Sequence, residues 1–112
     1  MGDGDPVRDE VSAGLIPMAR LEGAAAVMRV LAHPHRLRIC ELLSVRRVSV
    51  NGLAAHLAIP ANAVSQHLGM MRAHRLVEAG REGKEVYYKV VDPRPGWLLG
   101  CIRGHEADAG EA

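Results

Sequence analysis

The chain has no phenylalanine, and its aromatic residues are Trp97, Tyr87 and Tyr88. A core for 112 residues must therefore be aliphatic, built from Leu, Val, Ile, Met and Ala. Cysteine is scarce too. Cys40 and Cys101 stand far apart in sequence, so the closely spaced thiol pair of a structural zinc site is missing. No apolar run is long enough to cross a bilayer, and there is no signal-peptide pattern. A cytoplasmic protein with two reduced thiols is the expectation, with Cys40 buried as a small hydrophobe. Internal repeats are absent, and the length suits one domain with a modest core.

Net charge is also nearly absent, at +1, but its distribution is uneven. Ten of the fourteen Lys/Arg and four of the thirteen Asp/Glu fall within residues 29–90, a balance of +6 against −5 for the remainder. A basic segment of this kind suits phosphate neutralisation.

Composition and periodicity divide the chain into a disordered tail over 1–14, rich in Gly, Asp and Pro, a domain over 15–106, and a frayed tail over 107–112. Within the domain, Met18, Leu21, Ala25 and Met28 form an apolar stripe on a helix over 16–31. A second helix starts at His33-Pro34 and buries Leu37, Ile39, Cys40, Leu42 and Leu43. The third spans 50–57, with Ser49 as N-cap and Leu53, Ala54 and Leu57 inward. Ala58-Ile59-Pro60 is a turn. A fourth helix follows to residue 75, burying Val64, Leu68 and Met71. A strand over 77–79, a turn over 81–84 with Gly83 at positive φ, and a strand over 85–90 make a hairpin. In the second strand Val86, Tyr88 and Val90 share one face, and Glu85, Tyr87 and Lys89 the other. The last helix spans 95–106, with Trp97, Leu98, Cys101 and Ile102 apolar.

This order predicts a mainly α fold of five helices with a two-stranded β-hairpin, a winged helix-turn-helix. The second helix of that motif enters the DNA major groove. Its expected outer face carries Asn62, Ser65 and Gln66, which can hydrogen-bond base edges, and Gln66 can bind adenine through two bonds. Ala61 and Ala63 can touch a thymine methyl or permit close approach, and His67 sits beside this face. Arg81 and Lys84 suit phosphate or minor-groove contact from the wing. The first and last helices carry more apolar surface than a monomer can cover, so a homodimer is expected, presenting two recognition helices to an inverted repeat.

The segments LAHPHRLRICELL, VNGLAAHLAIPANAVSQHLGMMRAHRLV and REGKEVYYKV together resemble the ArsR/SmtB family of bacterial transcriptional regulators, over residues 31–92. The resemblance implies a homodimer joined through its first and last helices, which represses an operator until an effector binds. It also implies where effectors act. Many members bind metal through cysteines at the start of the third helix. Ser49 and Asn51 stand there in this chain, so that soft-metal site is expected to be absent. Other members use an Asp-x-His pair with a second pair on the last helix. The matching positions here hold Asp92, Arg94, His105 and Asp108, with the permanent cation of Arg94 in place of a ligand. Asp92 also suits the N-cap of that helix. Cys40 matches a position used by dithiol redox and sulfide sensors, whereas Cys101 falls several residues early for the partner thiol. Thiol sensing is thus ranked slightly above metal sensing, and no cofactor is expected. His33 and His35 suit a structural role around Pro34, while His56 and His74 suit the surface.

An enzyme is not expected. Cys101 and His105 lie four residues apart on one helix, but no orienting group, oxyanion loop or cofactor motif accompanies them. The alternative to a DNA-binding repressor is a winged-helix protein-interaction module.

Overall fold

The computed structural model describes residues 13–111, with side chains described as far as residue 104. The tail expected over 1–14 falls almost wholly outside the described residues, as do the side chains of 105–112. The elements run α1 (Met18–Leu31), α2 (Pro34–Val45), α3 (Val50–Leu57), α4 (Ala61–Ala73), β1 (Val77–Glu82), β2 (Glu85–Val90) and α5 (Pro93–Glu111). Among the described residues no helix is long and apolar enough to cross a membrane.

Pro17 starts α1 by offering its carbonyl to the amides of Arg20 and Leu21. The helix buries Val27, Val30 and Leu31 against the core. The stripe read from sequence lies outside that contact, with Met18, Leu21 and Met28 exposed at 67%, 42% and 49%. His33 caps α2, its ring nitrogen accepting from the His35 amide at 3.1 Å, and Pro34 follows in the first turn, where a missing N–H costs nothing. Ile39 and Cys40 are buried, with Leu37, Leu42 and Leu43 packed around them.

The core lies where α2, α3, α4 and β1 converge, and Leu31, Ile39, Leu53, Leu68, Met71 and Leu76 are fully buried there. Each such side chain contributes about 1.5–3 kcal/mol through removal from water. The hairpin pairs Val77 with Val90 through Glu82 with Glu85. Its turn is shorter than the sequence reading placed it, because Arg81 and Glu82 continue β1 and only Gly83 and Lys84 cross over. Gly83 takes φ 63°, a conformation that costs glycine little.

Further differences concern the two ends and β2. α4 closes at Ala73, and Arg75 adopts φ 58° to turn the chain into β1. α5 begins at Pro93, two residues earlier than expected, since Asp92 caps it, and continues to Glu111. It buries Pro95 and Leu99, the latter seated on α2, whereas Trp97 is 71% exposed. Tyr87 is half-buried although it faces away from the core. The Arg47 guanidinium covers its ring at 4.0 Å, and Arg47 is ion-paired with Glu82 across the hairpin.

Candidate nucleic-acid interface

Local chemistry fixes the angle between α3 and α4. The Ser49 hydroxyl accepts from the Gly52 amide at 3.0 Å and starts α3. Gly52 lies against Val48; an added Cβ would stand 2.8 Å from Val48 Cγ1. Ala58 ends the helix in the left-handed conformation, φ 55°. Two residues later the Pro60 carbonyl accepts from Ala63 and Val64 and begins α4. Val64, Leu68 and Met71, at positions i, i+4 and i+7, pin that helix to the core.

Pinning one face turns the other outward. Asn62, Ser65, Gln66 and Gly69 are exposed, and Ala61, Ala63 and His67 flank them half-buried. Every α4 residue singled out from the sequence for DNA contact thus lies on the open face or its border. The wing stands beside it. Ser65 and Lys84 line one groove, together with Asn51, Glu85 and Val86. Arg81 and Lys84 are exposed, Arg81 on a strand and Lys84 at the tip.

On the opposite flank of α4 lies a cluster that spacing along the chain did not reveal. His33, His35 and His67 each place a ring nitrogen within 4.8 Å of the others. Arg36 Nε donates to His67 Nδ1 at 3.1 Å, and Arg36 Nη1 donates to the Val30 carbonyl at 3.0 Å. Burial lowers the His67 pKa, and the neighbouring His33, Arg36 and His35 lower it further. The sequence signal was the pair of histidines around Pro34, but their partner lies 32 residues away and meets them only through helix packing.

The effector candidates are distributed differently. Ser49 is engaged as a helix cap, and Asn51 is exposed. Both carboxylate oxygens of Asp92 are taken by Arg94: Oδ1 accepts from the Arg94 amide and Nε, and Oδ2 accepts from Nη2 at 2.6 Å. These bonds hold the Asp92 carboxyl below its ordinary pKa. The side chains of His105 and Asp108 lie outside the described residues. Cys40 is buried and its thiol is pushed up to about 11 by desolvation. Cys101 is exposed. It sits about 200° around α5 from Leu99, the residue that packs on α2, and so faces away from Cys40's helix. His56 meets Arg46 at 3.3 Å and His74 meets the Met70 carbonyl at 3.1 Å, both at the surface.

A pinned helix with a polar outer face, bracketed by a hairpin, defines a winged helix-turn-helix DNA-binding protein rather than an enzyme. Comparison with known proteins gives the same class. A family model described as a helix-turn-helix domain matches residues 31–79. The chain is 31% identical to the biofilm growth-associated repressor of Agrobacterium fabrum, over 87% of this chain and 86% of that protein. It is 32% identical to a transcriptional repressor SmtB homolog of Synechocystis, over 74% and 63%. Among solved structures, Rv0081 of M. tuberculosis matches with TM-score 0.69 and 33% identity, over 87% and 96%. The homodimeric winged helix-turn-helix DNA-binding domain of Mycobacterium bovis Mb0332, a possible ArsR-family regulator, shares the fold at TM-score 0.72 and 24% identity, over 99% and 94%. The chain belongs to the ArsR/SmtB family of winged helix-turn-helix transcriptional regulators, and it is a DNA-binding repressor by that kinship.

Proposed function

We propose that residues 15–106 act as a homodimeric repressor that grips an inverted-repeat operator with two copies of α4. The observation that carries this reading is the outward face of α4, with exposed Asn62, Ser65 and Gln66 beside a wing that presents Arg81 and Lys84. Asn62, Ser65 and Gln66 read base edges; Ala61 and Ala63 let the helix approach closely; His67, Arg81 and Lys84 hold the flanking backbone. Dimerisation uses the apolar surface of α1 and α5 left uncovered in the single chain, where Met18, Met28 and Trp97 are exposed.

Selection of duplexes from a random-sequence pool tests the proposal. The expected product holds two related half-sites with centres about 10–10.5 base pairs apart, or a multiple of that. Equal affinity for every duplex, or none for any, would leave the protein-interaction module as the better reading.

For sensing, thiol chemistry ranks above a metal at the start of α5, because Arg94 already occupies Asp92. Exposed Cys101 is the first point of attack, since the raised pKa of Cys40 keeps it protonated and slow. Peptide mass mapping after polysulfide treatment tests this ranking. Sulfur addition at Cys101 accompanied by loss of operator binding supports it, and undiminished operator binding ends it.

A further inference from the structure

The histidine cluster has the composition of a metal site and the hydrogen bonding of an anion site. Zinc bound at about 2.0–2.1 Å by three imidazoles requires nitrogens about 3.3 Å apart. A hydrogen-bonded oxygen about 2.8 Å from three donors tolerates separations up to about 4.8 Å, and the ring nitrogens of His33, His35 and His67 lie within 4.8 Å of one another. The hydrogen bonds decide between the two. A metal-bound histidine donates its second ring N–H to an acceptor behind it. Here His33 and His67 instead accept at Nδ1, from the His35 amide and from Arg36 Nε. Their partners therefore assign the proton to Nε2 in both rings, so each offers a donor rather than a lone pair. The guanidinium of Arg36 adds a permanent positive charge against His67. Among the described residues no carboxylate pairs with any of the four.

Position supplies the rest. Ser65 faces the wing, and His67, about 200° further round α4, faces the start of α2. A helix in the major groove has a phosphate backbone on each side, and the wing attends to one of them. We propose that His33, His35, Arg36 and His67 form a phosphate clamp that takes a backbone phosphate of the operator on the flank of α4 opposite the wing. This inference rests on the DNA-binding reading above and adds a second anchoring point to it. Burial lowers the His67 pKa, and His33, Arg36 and His35 lower it further, so the charged form of the ring is disfavoured, and a phosphate offsets that.

The test uses the full chain and a selected duplex whose phosphates are replaced one at a time by uncharged methylphosphonate. The variants are His35→Ala, which removes a ring with no structural hydrogen bond of its own among the described residues, and His33→Asn/His35→Ala, which keeps an acceptor at the cap of α2. One methylphosphonate position should weaken wild-type binding about tenfold yet cost the double variant less than twofold, with base preference unchanged. Additive losses at every position overturn the clamp. His35→Ala alone should show a partial version of the same coupling, which keeps the test decisive if the double variant fails to fold. Titration with inorganic phosphate and with zinc separates the other occupants. Phosphate binding without coupling to any DNA phosphate assigns the cluster to a free anion and overturns the operator contact. Submicromolar zinc binding lost in the double variant makes it a cation site. If no duplex is bound at all, the DNA-binding reading fails first and the clamp falls with it. If duplexes are bound but the coupling is missing, only the clamp falls.

Discussion

Glycine inside a helix costs about 1 kcal/mol relative to alanine, yet α3 carries Gly52 in its first turn. The neighbouring Val48 side chain explains it, since Val48 is buried and cannot yield to a Cβ placed 2.8 Å away. Gly52→Ala should therefore destabilise the fold by about 1–3 kcal/mol despite its better helix propensity, seen as a lower urea midpoint at unchanged slope. Gly69 on α4 gives the contrast, because open space surrounds it. Gly69→Ala should raise the urea midpoint by the equivalent of about 0.5–1 kcal/mol while weakening operator binding, its methyl facing the DNA. An increase in both would remove Gly69 from the contact face. Cys40 makes a prediction in pH. Burial pushes its folded pKa up to about 11, above the ordinary thiol value of 9.0. The buried thiol is thus held neutral at no cost below pH 9, and stability is lost as pH rises from 9 towards 11. Relative to wild type, Cys40→Ala should show a flatter decline across that window in thermal unfolding scans.

At the scale of elements, what was legible in the sequence was what is decided locally. Ser49, Pro60 and Gly83 each act on backbone within three residues, and α3, β2 and the buried stripe of α4 stand where those signals place them. Contacts between elements were not legible. Trp97, Leu98, Cys101 and Ile102 are the apolar positions read from sequence for the last helix, but the helix is rotated so that Leu99 meets α2 and Trp97 meets solvent. Tyr87 looked outward-facing and is shielded by Arg47 from the α2–α3 connection, a contact that no periodicity encodes. The histidine cluster likewise depends on α4 crossing the start of α2. The reading elements yield paired predictions. Gln66→Ala should cost about 1–3 kcal/mol on the selected operator and relax preference at one base position. Lys84→Ala should weaken all duplexes alike and lower the salt slope by about one per wing contact. Competition binding across duplex variants and salt concentrations separates the two. An unchanged base preference in Gln66→Ala would remove Gln66 from the reading face.

For the whole molecule the question is what covers the apolar surface left outside. Leu15, Ile16, Met18, Leu21 and Met28 are exposed along α1 and the segment before it, and Trp97 and Ile102 are exposed on α5. Scattered apolar residues need no partner, but these are large and lie on the two helices that flank the reading head. One recognition helix reads too few base pairs for a specific site, whereas a two-fold pair doubles the contacts and fixes the spacing between half-sites. The same surface thus links assembly to specificity. Met28→Glu places a charge in that apolar surface without touching α3, α4 or the wing. Sedimentation at micromolar concentration should show the wild-type chain as a dimer and Met28→Glu shifted towards monomer. Its circular dichroism should be unchanged, because Met28 is 49% exposed in the single chain and contributes little to its core. Operator affinity should fall steeply, and binding to a single half-site should change little. A Met28→Glu protein that sediments and binds like wild type would move the dimer interface away from α1.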